Sequence, residues 1–355
     1  MSARYLIVGG AGFIGSNMIR HLLTDANPGG LGVGAPERVV NFDKLTYAGN
    51  LENLRDIDQD ARYKFVLGDV ADRALVEEVM RAERITHVIN FAAETHVDRA
   101  ILGAEHFLQT EIMGAHALCE AARAAGAERM LQVSTDEVYG EILEGSWTED
   151  SPVNPRNPYS AAKAGQEMLV RSYFTTYGLP TLLTRACNNF GPFQYPEKII
   201  PLFVTNLLDD KQIPLYGDGL HVRDWIHVLD HCTALLTVLH RGTPGQIYNV
   251  AAKNEVTNKE LTERMLALLG KDESSIERGH DRPGHDRRYS MDSSKLHALG
   301  WKTQYRWPQA LEETVEWYRA NEAWWRPLKR KMQSFYDEWY GQKKLPGTEK
   351  AAANA

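Results

Sequence analysis

Thr135, Asp136 and Glu137 stand together in the stretch Val133-Ser134-Thr135-Asp136-Glu137-Val138-Tyr139-Gly140, directly after the run Arg129-Met130-Leu131-Gln132. The run reads as a buried strand and the stretch as the turn that ends it. Adjacent carboxylates in an extended or turning segment point different ways, so one can serve as acid and the other as base on different atoms of one substrate. The competing reading is a capped turn, because Ser, Thr and Asp before a helix are common for that reason alone. Further along, Tyr159 and Lys163 are four residues apart and share one helix face. A lysine near a phenol lowers its pKa and makes it a usable base near neutral pH. Tyr-x-x-x-Lys is frequent by chance. It becomes specific in company with a Ser/Thr strand end upstream and a nucleotide-type glycine turn at the start of the chain.

That glycine turn is Gly9-Gly10-Ala11-Gly12-Phe13-Ile14-Gly15, placed between the apolar run Arg4-Tyr5-Leu6-Ile7-Val8 and a helical pattern over 16–23. Strand, glycine turn and helix in that order are the context a dinucleotide site requires. Gly10, Gly12 and Gly15 fit G-x-G-x-x-G, and Gly9, Gly12 and Gly15 fit a second glycine spacing. Missing side chains let backbone approach a pyrophosphate, and the helix start supplies N–H groups. A second strand, 38–42, ends at Asp43. A carboxylate there accepts from adenosine ribose hydroxyls and repels a 2′-phosphate, which favours NAD over NADP. A third strand, 63–67, leads to Gly68-Asp69-Val70, where Asp69 meets an adenine amino group or caps the next helix. A fourth, 86–90, runs into Phe91-Ala92-Ala93-Glu94-Thr95-His96, whose small residues allow a cofactor to pass. Residues 103–125 read as one long helix with apolar stripes, used for core or dimer packing.

The alternation of strands and helices predicts an α/β fold, a doubly wound parallel Rossmann sheet. The second half is less regular and reads as a smaller mixed α/β substrate-binding domain. The expected division is 1–190 for the NAD-binding domain, with segments returning from the second half, 191–330 for the substrate-binding domain, and a disordered tail at 341–355. Residues 311–325 read as one amphipathic helix. Lys198, Arg223, Arg282 and Arg288 are the plausible partners for a diphosphate.

The chain has 355 residues, 43% apolar and 25% charged, with a net charge of -7. Such a balance argues against a general nucleic-acid binder. Cys119, Cys187 and Cys232 show no paired spacing, which suggests a reducing compartment, and His96 and Asp98 lack neighbours for a metal site. No stretch is long and apolar enough for a signal peptide or membrane span, so the expected place is the cytoplasm.

Taken in order, these motifs resemble the extended short-chain dehydrogenase/reductases and, within them, the dTDP-glucose 4,6-dehydratase family. Further matching segments are Asp43-Lys44-Leu45-Thr46-Tyr47-Ala48-Gly49-Asn50, Asn157-Pro158-Tyr159-Ser160, Asn188-Asn189, Pro196-Glu197-Lys198, Val222-Arg223-Asp224-Trp225 and Asp281-Arg282-Pro283-Gly284-His285-Asp286-Arg287-Arg288. The resemblance implies that Tyr159 is the base for a sugar 4-hydroxyl, Lys163 its activator and Thr135 a donor to O4. It implies Asp136 as the acid for the C6 hydroxyl and Glu137 as the base for the C5 proton. Gly9, Gly12, Phe13, Ile14, Gly15, Asp43, Lys44, Leu45, Thr46, Asp69, Val70, Phe91, Ala92, Ala93, Thr95, Thr110, Tyr159, Lys163 and Asn189 would hold NAD. Thr95, Thr135, Asn188, Lys198, Ile199, Pro214, Leu215, Tyr216, Arg223, Asn258, Asp281, Arg282, Pro283, Gly284 and His285 would hold a nucleotide-diphosphate-sugar. No metal, nucleic acid or membrane is implied, and the helices over 103–125 and 158–177 would pair in a homodimer. Ala251-Ala252 replace the family's usual two glycines and Phe190 its usual tyrosine, both toward the substrate side. Three readings compete with a dTDP-glucose dehydratase. A UDP-glucose 4,6-dehydratase or a sugar-nucleotide 4-epimerase would use the same scaffold, though the epimerase needs no carboxylate pair. A catalytically silent NAD-binding protein would be expected to lose Tyr159 or Lys163.

Overall fold

The computed structural model describes residues 3–25, 28–96, 100, 103–279, 281 and 285–340. Helices of eight or more residues are numbered below. The first strand, β1 (Arg4–Val8), turns through the glycines into α1 (Phe13–Thr24). There follow β2 (Arg38–Asp43), β3 (Tyr63–Leu67), α2 (Arg73–Ala82) and β4 (His87–Asn90). Next come α3 (Gly114–Ala125), β5 (Arg129–Thr135), α4 (Pro158–Tyr177) and β6 (Thr181–Ala186).

The second half supplies β7 (Asn188–Phe190), α5 (Ile199–Leu208), β8 (Ile213–Tyr216), β9 (Val222–His227), α6 (Val228–Arg241) and β10 (Ile247–Val250). It ends with β11 (Glu255–Thr257), α7 (Asn258–Leu269), β12 (Ile276–Gly279), α8 (Gln309–Ala320) and α9 (Glu322–Tyr340).

Seven strands form one parallel sheet in the order β10-β6-β5-β4-β1-β2-β3. This is the expected doubly wound Rossmann sheet. The central strands are buried on both faces, as a parallel sheet covered by helices requires. One face packs Ile7, Ile89, Leu131 and Leu182 with Met18 and Leu22 of α1 and Leu235 and Leu239 of α6. The other packs Leu6, Val88 and Met130 with Val76 of α2, Leu118 of α3 and Val170 of α4. Chain order reverses between β1 and β4, and open α/β sheets bind ligands at the crevice this creates beyond the strand ends. α6 and β10 return from the second half to complete this layer.

A mixed three-stranded sheet, β11-β9-β7, and a parallel pair, β12-β8, stand beside it. They share a third core that includes Phe203, Trp225, Leu261, Leu311 and Trp325. Two helix readings need correction. The expected helix over 103–125 is interrupted by a π-helical turn, Gln109–Met113, between Glu105–Leu108 and α3. The expected helix over 311–325 is two, because Asn321 leaves the helical conformation and its side chain bonds back to the Trp317 carbonyl at 2.8 Å. Among the described residues no helix is long and apolar enough to cross a membrane.

Candidate active site

The carboxyl ends of β1, β2, β4, β5 and β6 open into one cavity of about 490 Å³, closed on its far side by α5, β8 and β9. Its floor at β1 is made by glycines. A Cβ on Gly9 would stand 2.7 Å from the Ala92 nitrogen, and one on Gly15 would strike the Gly9 carbonyl at 2.3 Å. Gly12 caps α1 without any side-chain hydrogen bond, so the first N–H groups of that helix stay available to an anion. Gly10 is instead pressed against Asn41 and Ile19, so Gly9, Gly12 and Gly15 are the set that faces the cavity. Asp43 ends β2 nearly buried, and its carboxylate accepts from the backbone N–H of Ala11 at 2.9 Å and of Leu45 at 2.7 Å. A fixed, buried carboxylate beyond an uncapped helix start and a glycine floor fits a dinucleotide.

β5 delivers the chemistry. Thr135 caps a single 3₁₀ turn, Asp136–Tyr139, accepting from the Glu137 N–H at 3.3 Å and donating to Asp136 Oδ1 at 3.1 Å. Asp136 is 4% exposed. Burial, and then the neighbouring Glu137 charge, pushes its carboxyl up to about 8. Burial also raises Glu137, opposed by a hydrogen bond from Asn157 and by the Arg223 and Lys198 charges. The turn therefore sets a carboxyl that keeps its proton to about 8 beside a second that a hydrogen bond and two cations draw back toward its ionised form, the pairing that separate acid and base roles call for.

α4 is positioned by its cap. Asn157 accepts from the Ser160 N–H at 2.9 Å in a capping box, with Pro158 in the first turn. The same Asn157 donates to Glu137 Oε2 at 3.1 Å, so one residue ties the helix start to the carboxylate. Tyr159 follows, 8% exposed, its ring edge-on to Phe107. Lys163 lies one turn on, and its ammonium donates to the Val133 carbonyl at 2.9 Å, Gln166 Oε1 at 2.8 Å and Glu111 Oε2 at 3.2 Å. Lys163, expected to act on the phenol, thus has its ammonium held by three buried acceptors. The two side chains do share a face, but the long lysine stem reaches buried acceptors on β5 and on the π-helical turn. Tyr159 is pushed well above the ordinary phenol range by burial and by the Glu137, Glu111 and Asp136 charges, with the Thr135 hydroxyl opposing.

The family model for GDP-mannose 4,6 dehydratase matches residues 6–314. A dTDP-glucose 4,6-dehydratase of Streptomyces niveus is 47% identical over 327 residues, 92% of this chain and 96% of that one. A low-salt glycan biosynthesis protein of Haloferax volcanii is 47% identical over 317 residues, 89% of this chain and 99% of its own. A dTDP-glucose 4,6-dehydratase from Streptomyces venezuelae, solved with NAD bound, superposes with a TM-score of 0.88 at 49% identity, covering 92% of this chain and 99% of that chain. The chain belongs to the dTDP-glucose 4,6-dehydratase family.

Set against the contact residues expected of that family, the cavity is lined by Gly9, Gly12, Phe13, Ile14, Gly15, Asp43, Lys44, Thr46, Val70, Phe91, Ala92, Ala93, Thr95, Thr110 and Asn189 on the sheet side. On the far side it is lined by Asn188, Lys198, Ile199, Pro214, Leu215, Tyr216, Arg223, Asn258 and His285, with Thr135, Asp136, Glu137, Tyr159 and Lys163 between the two. Three expected contacts stand back from it. Leu45, in a left-handed turn at φ 55, lines a smaller neighbouring cavity of about 240 Å³. Asp69 pairs with Lys44 at 3.6 Å and accepts from the Ala71 N–H. Asp281 bridges His285 at 2.6 Å and His221 at 3.2 Å. These three are the group of metal-ligand types that the described residues bring together. Arg282, Pro283, Gly284 and the expected tail 341–355 lie outside the described residues.

Arg288 is not in the cavity: Glu255 holds it in a two-pronged ion pair, 2.8 and 3.1 Å. Arg223 is there, stacked on Tyr289 and braced by the Asp286 carbonyl at 2.9 Å. Phe190, expected toward the substrate, packs instead against Trp225, His227 and Trp307.

Sequence reasoning missed several lining or supporting residues. Asn157 carried a usable signal, since Asn-Pro-x-Ser is a helix-start pattern. His231, whose Nδ1 meets Asn189 Oδ1 at 2.8 Å, and Tyr289 reach the site from distant segments and gave none. Glu111 sat in what read as an ordinary packing helix.

Proposed function

We propose that this chain is a dTDP-glucose 4,6-dehydratase, a lyase that converts dTDP-glucose to dTDP-4-keto-6-deoxyglucose and water with NAD kept in the site. The observation that carries it is the pair Asp136, buried, and Glu137, half-buried, which line the cavity with Tyr159, one carboxyl holding its proton to about 8. NAD, held by the glycine floor and Asp43, would supply the acceptor for the C4 hydride and the donor that returns it to C6. Tyr159 takes the O4 proton while Thr135 holds O4. The resulting ketone acidifies the C5 hydrogen, which Glu137 removes. Asp136 protonates the C6 oxygen as it leaves as water. Lys198, Arg223 and Asn258 line the end of the cavity that would hold the nucleotide diphosphate. Incubation with dTDP-glucose, UDP-glucose and their 4-epimers tests the reading. A 4-keto-6-deoxy product formed best from dTDP-glucose supports it; a product made best from UDP-glucose reassigns the carrier, and epimerisation without loss of water overturns it.

Asp43 makes the cofactor NAD. Its buried carboxylate, already fixed by two backbone donors, would repel a 2′-phosphate. Stripped enzyme is therefore expected to regain turnover with NAD and much less with NADP; equal recovery with both would remove this role from Asp43.

The chain would be organised as an NAD-binding unit, 1–190 with α6 and β10 returned to it, and a nucleotide-sugar unit over the rest of 191–330. It would act as a homodimer. Leu108 and Met113 before α3, and Met168, Phe174 and Tyr177 on α4, leave 50%, 50%, 45%, 37% and 57% of their area exposed. Large apolar residues gathered on two neighbouring helices suit a helix-on-helix interface. Light scattering at micromolar concentration should give twice the chain mass; a monomer mass there contradicts it. The three buried, unpaired cysteines suit a cytoplasmic setting.

A further inference from the structure

Glu111 is an unusual residue to find inside this fold. It is fully buried and sits in the π-helical turn Gln109–Met113. The extra residue in such a turn rotates the chain inward, and π turns in helices are frequent at functional sites. The rotation also sets the neighbouring Thr110 on the cavity wall, where Lys44 meets its hydroxyl at 3.4 Å. Both carboxylate oxygens of Glu111 are used. Oε1 accepts from the Glu94 N–H at 3.1 Å, tying the π turn to the strip that follows β4, and Oε2 accepts from Lys163 at 3.2 Å.

With Val133 and Gln166, Glu111 takes every hydrogen of the Lys163 ammonium. Removing an ion pair from water is costly unless its geometry is good and its remaining hydrogen-bonding capacity is met, and a well-packed neutral pair often replaces one without loss. Packing alone therefore gives no reason for a carboxylate here. Its charge reaches further than its contacts. Burial raises the Glu111 carboxyl, while the Lys163 ammonium at 3.2 Å and the Glu94 N–H favour its ionised form against the Glu94 charge. The Glu111 charge joins those of Glu137 and Asp136 in opposing ionisation of the Tyr159 phenol.

We propose that Glu111 is a positioning residue for C4 oxidation: it holds Lys163 on β5 and, through its charge, sets the pH at which Tyr159 becomes the base for O4. The inference rests on the dehydratase reading above. Glu111→Gln keeps the size and one acceptor while removing the charge. A nearby unit charge commonly moves a pKa by about 1–3 units. In single turnovers monitored by reduction of bound nicotinamide, the acid limb of C4 oxidation is expected to move down by about one unit in Glu111→Gln. Glu111→Asp retains the charge on a shorter reach, so its limb should stay at the wild-type position while the rate falls. A merely structural Glu111 would lower rate or melting temperature in both variants and leave both limbs in place, which overturns the proposal. If Glu111→Gln does not accumulate as folded protein, a displaced limb in Glu111→Asp overturns it equally. Wild-type enzyme in the same assay separates the two claims, because a wild type that never reduces its nicotinamide sinks the dehydratase reading and not the part played by Glu111.

Discussion

Glu137→Gln is expected to go on oxidising C4 while losing dehydration by about 10²–10⁴-fold, the usual worth of a positioned acid or base. Glutamine keeps the size and can still accept from Asn157 Nδ2, now 3.1 Å from the carboxylate, so the turn has no reason to rearrange. The missing function is the base for the C5 hydrogen. Reduced nicotinamide should accumulate in a single turnover, no 4-keto-6-deoxy product should follow, and the C5 hydrogen should not exchange with solvent. Asp136→Asn should lose dehydration by a similar factor yet permit some exchange, because the C5 proton can leave before the hydroxyl does. In the wild type the acid form of Asp136 empties as pH rises through about 8, so elimination should fall off there while C4 oxidation does not. Stability carries the same sign. The unfolded carboxyl ionises near its ordinary 3.8 and the folded one keeps its proton to about 8, so folding stability declines as pH rises between those values. Asp136→Asn should remove that decline, read as melting temperature against pH. Dehydration by Glu137→Gln at the wild-type rate would return the whole 3₁₀ turn to its plain role as a capped turn.

Tyr159→Phe should abolish both halves of the reaction. Phenylalanine preserves the ring that stands edge-on to Phe107 at 6.3 Å, so the fold is expected to persist. What disappears is the group that takes the O4 proton, and without a ketone at C4 the C5 hydrogen is not acidic enough for Glu137. Reduction of bound nicotinamide should fall by about 10²–10⁴-fold and product by at least as much. The contrast with Glu137→Gln is the diagnostic feature. One variant stalls before any reduction of the cofactor and the other after it, and a Tyr159→Phe enzyme that reduces its cofactor at the wild-type rate would show that another group serves O4.

Much of this could be read from local patterns because local patterns cause it. Strand, glycine turn and helix fix the cofactor floor within residues 4–24, and Gly9 and Gly15 are required there by contacts a Cβ would break. The strand end at Thr135 and the helix start at Asn157 likewise carry their own turn and cap chemistry. Contacts decided by long reach were less legible. Lys163 and Tyr159 share a face as their spacing says, but spacing says nothing about which acceptors a four-carbon stem will find, and Val133 lies 30 residues away in sequence. Arg288 and Asp281 read as ligands from their charged loop, whereas Glu255 and the two histidines claim them through pairings the sequence does not announce. Glu111 was hidden for a related reason. The π turn that carries it inward breaks the 3.6-residue period from which helix faces are inferred.

In a 4,6-dehydratase the hydride leaves C4 and returns to C6 within one site during loss of water. dTDP-glucose carrying deuterium at C4 gives the most direct measurement, with the product analysed by mass spectrometry and NMR. The prediction is a 4-keto-6-deoxy product with the deuterium at C6, undiluted by unlabelled NADH added to the solution. Deuterium still at C4 in a product that retains its C6 hydroxyl, or deuterium lost to the solution pool, would contradict it.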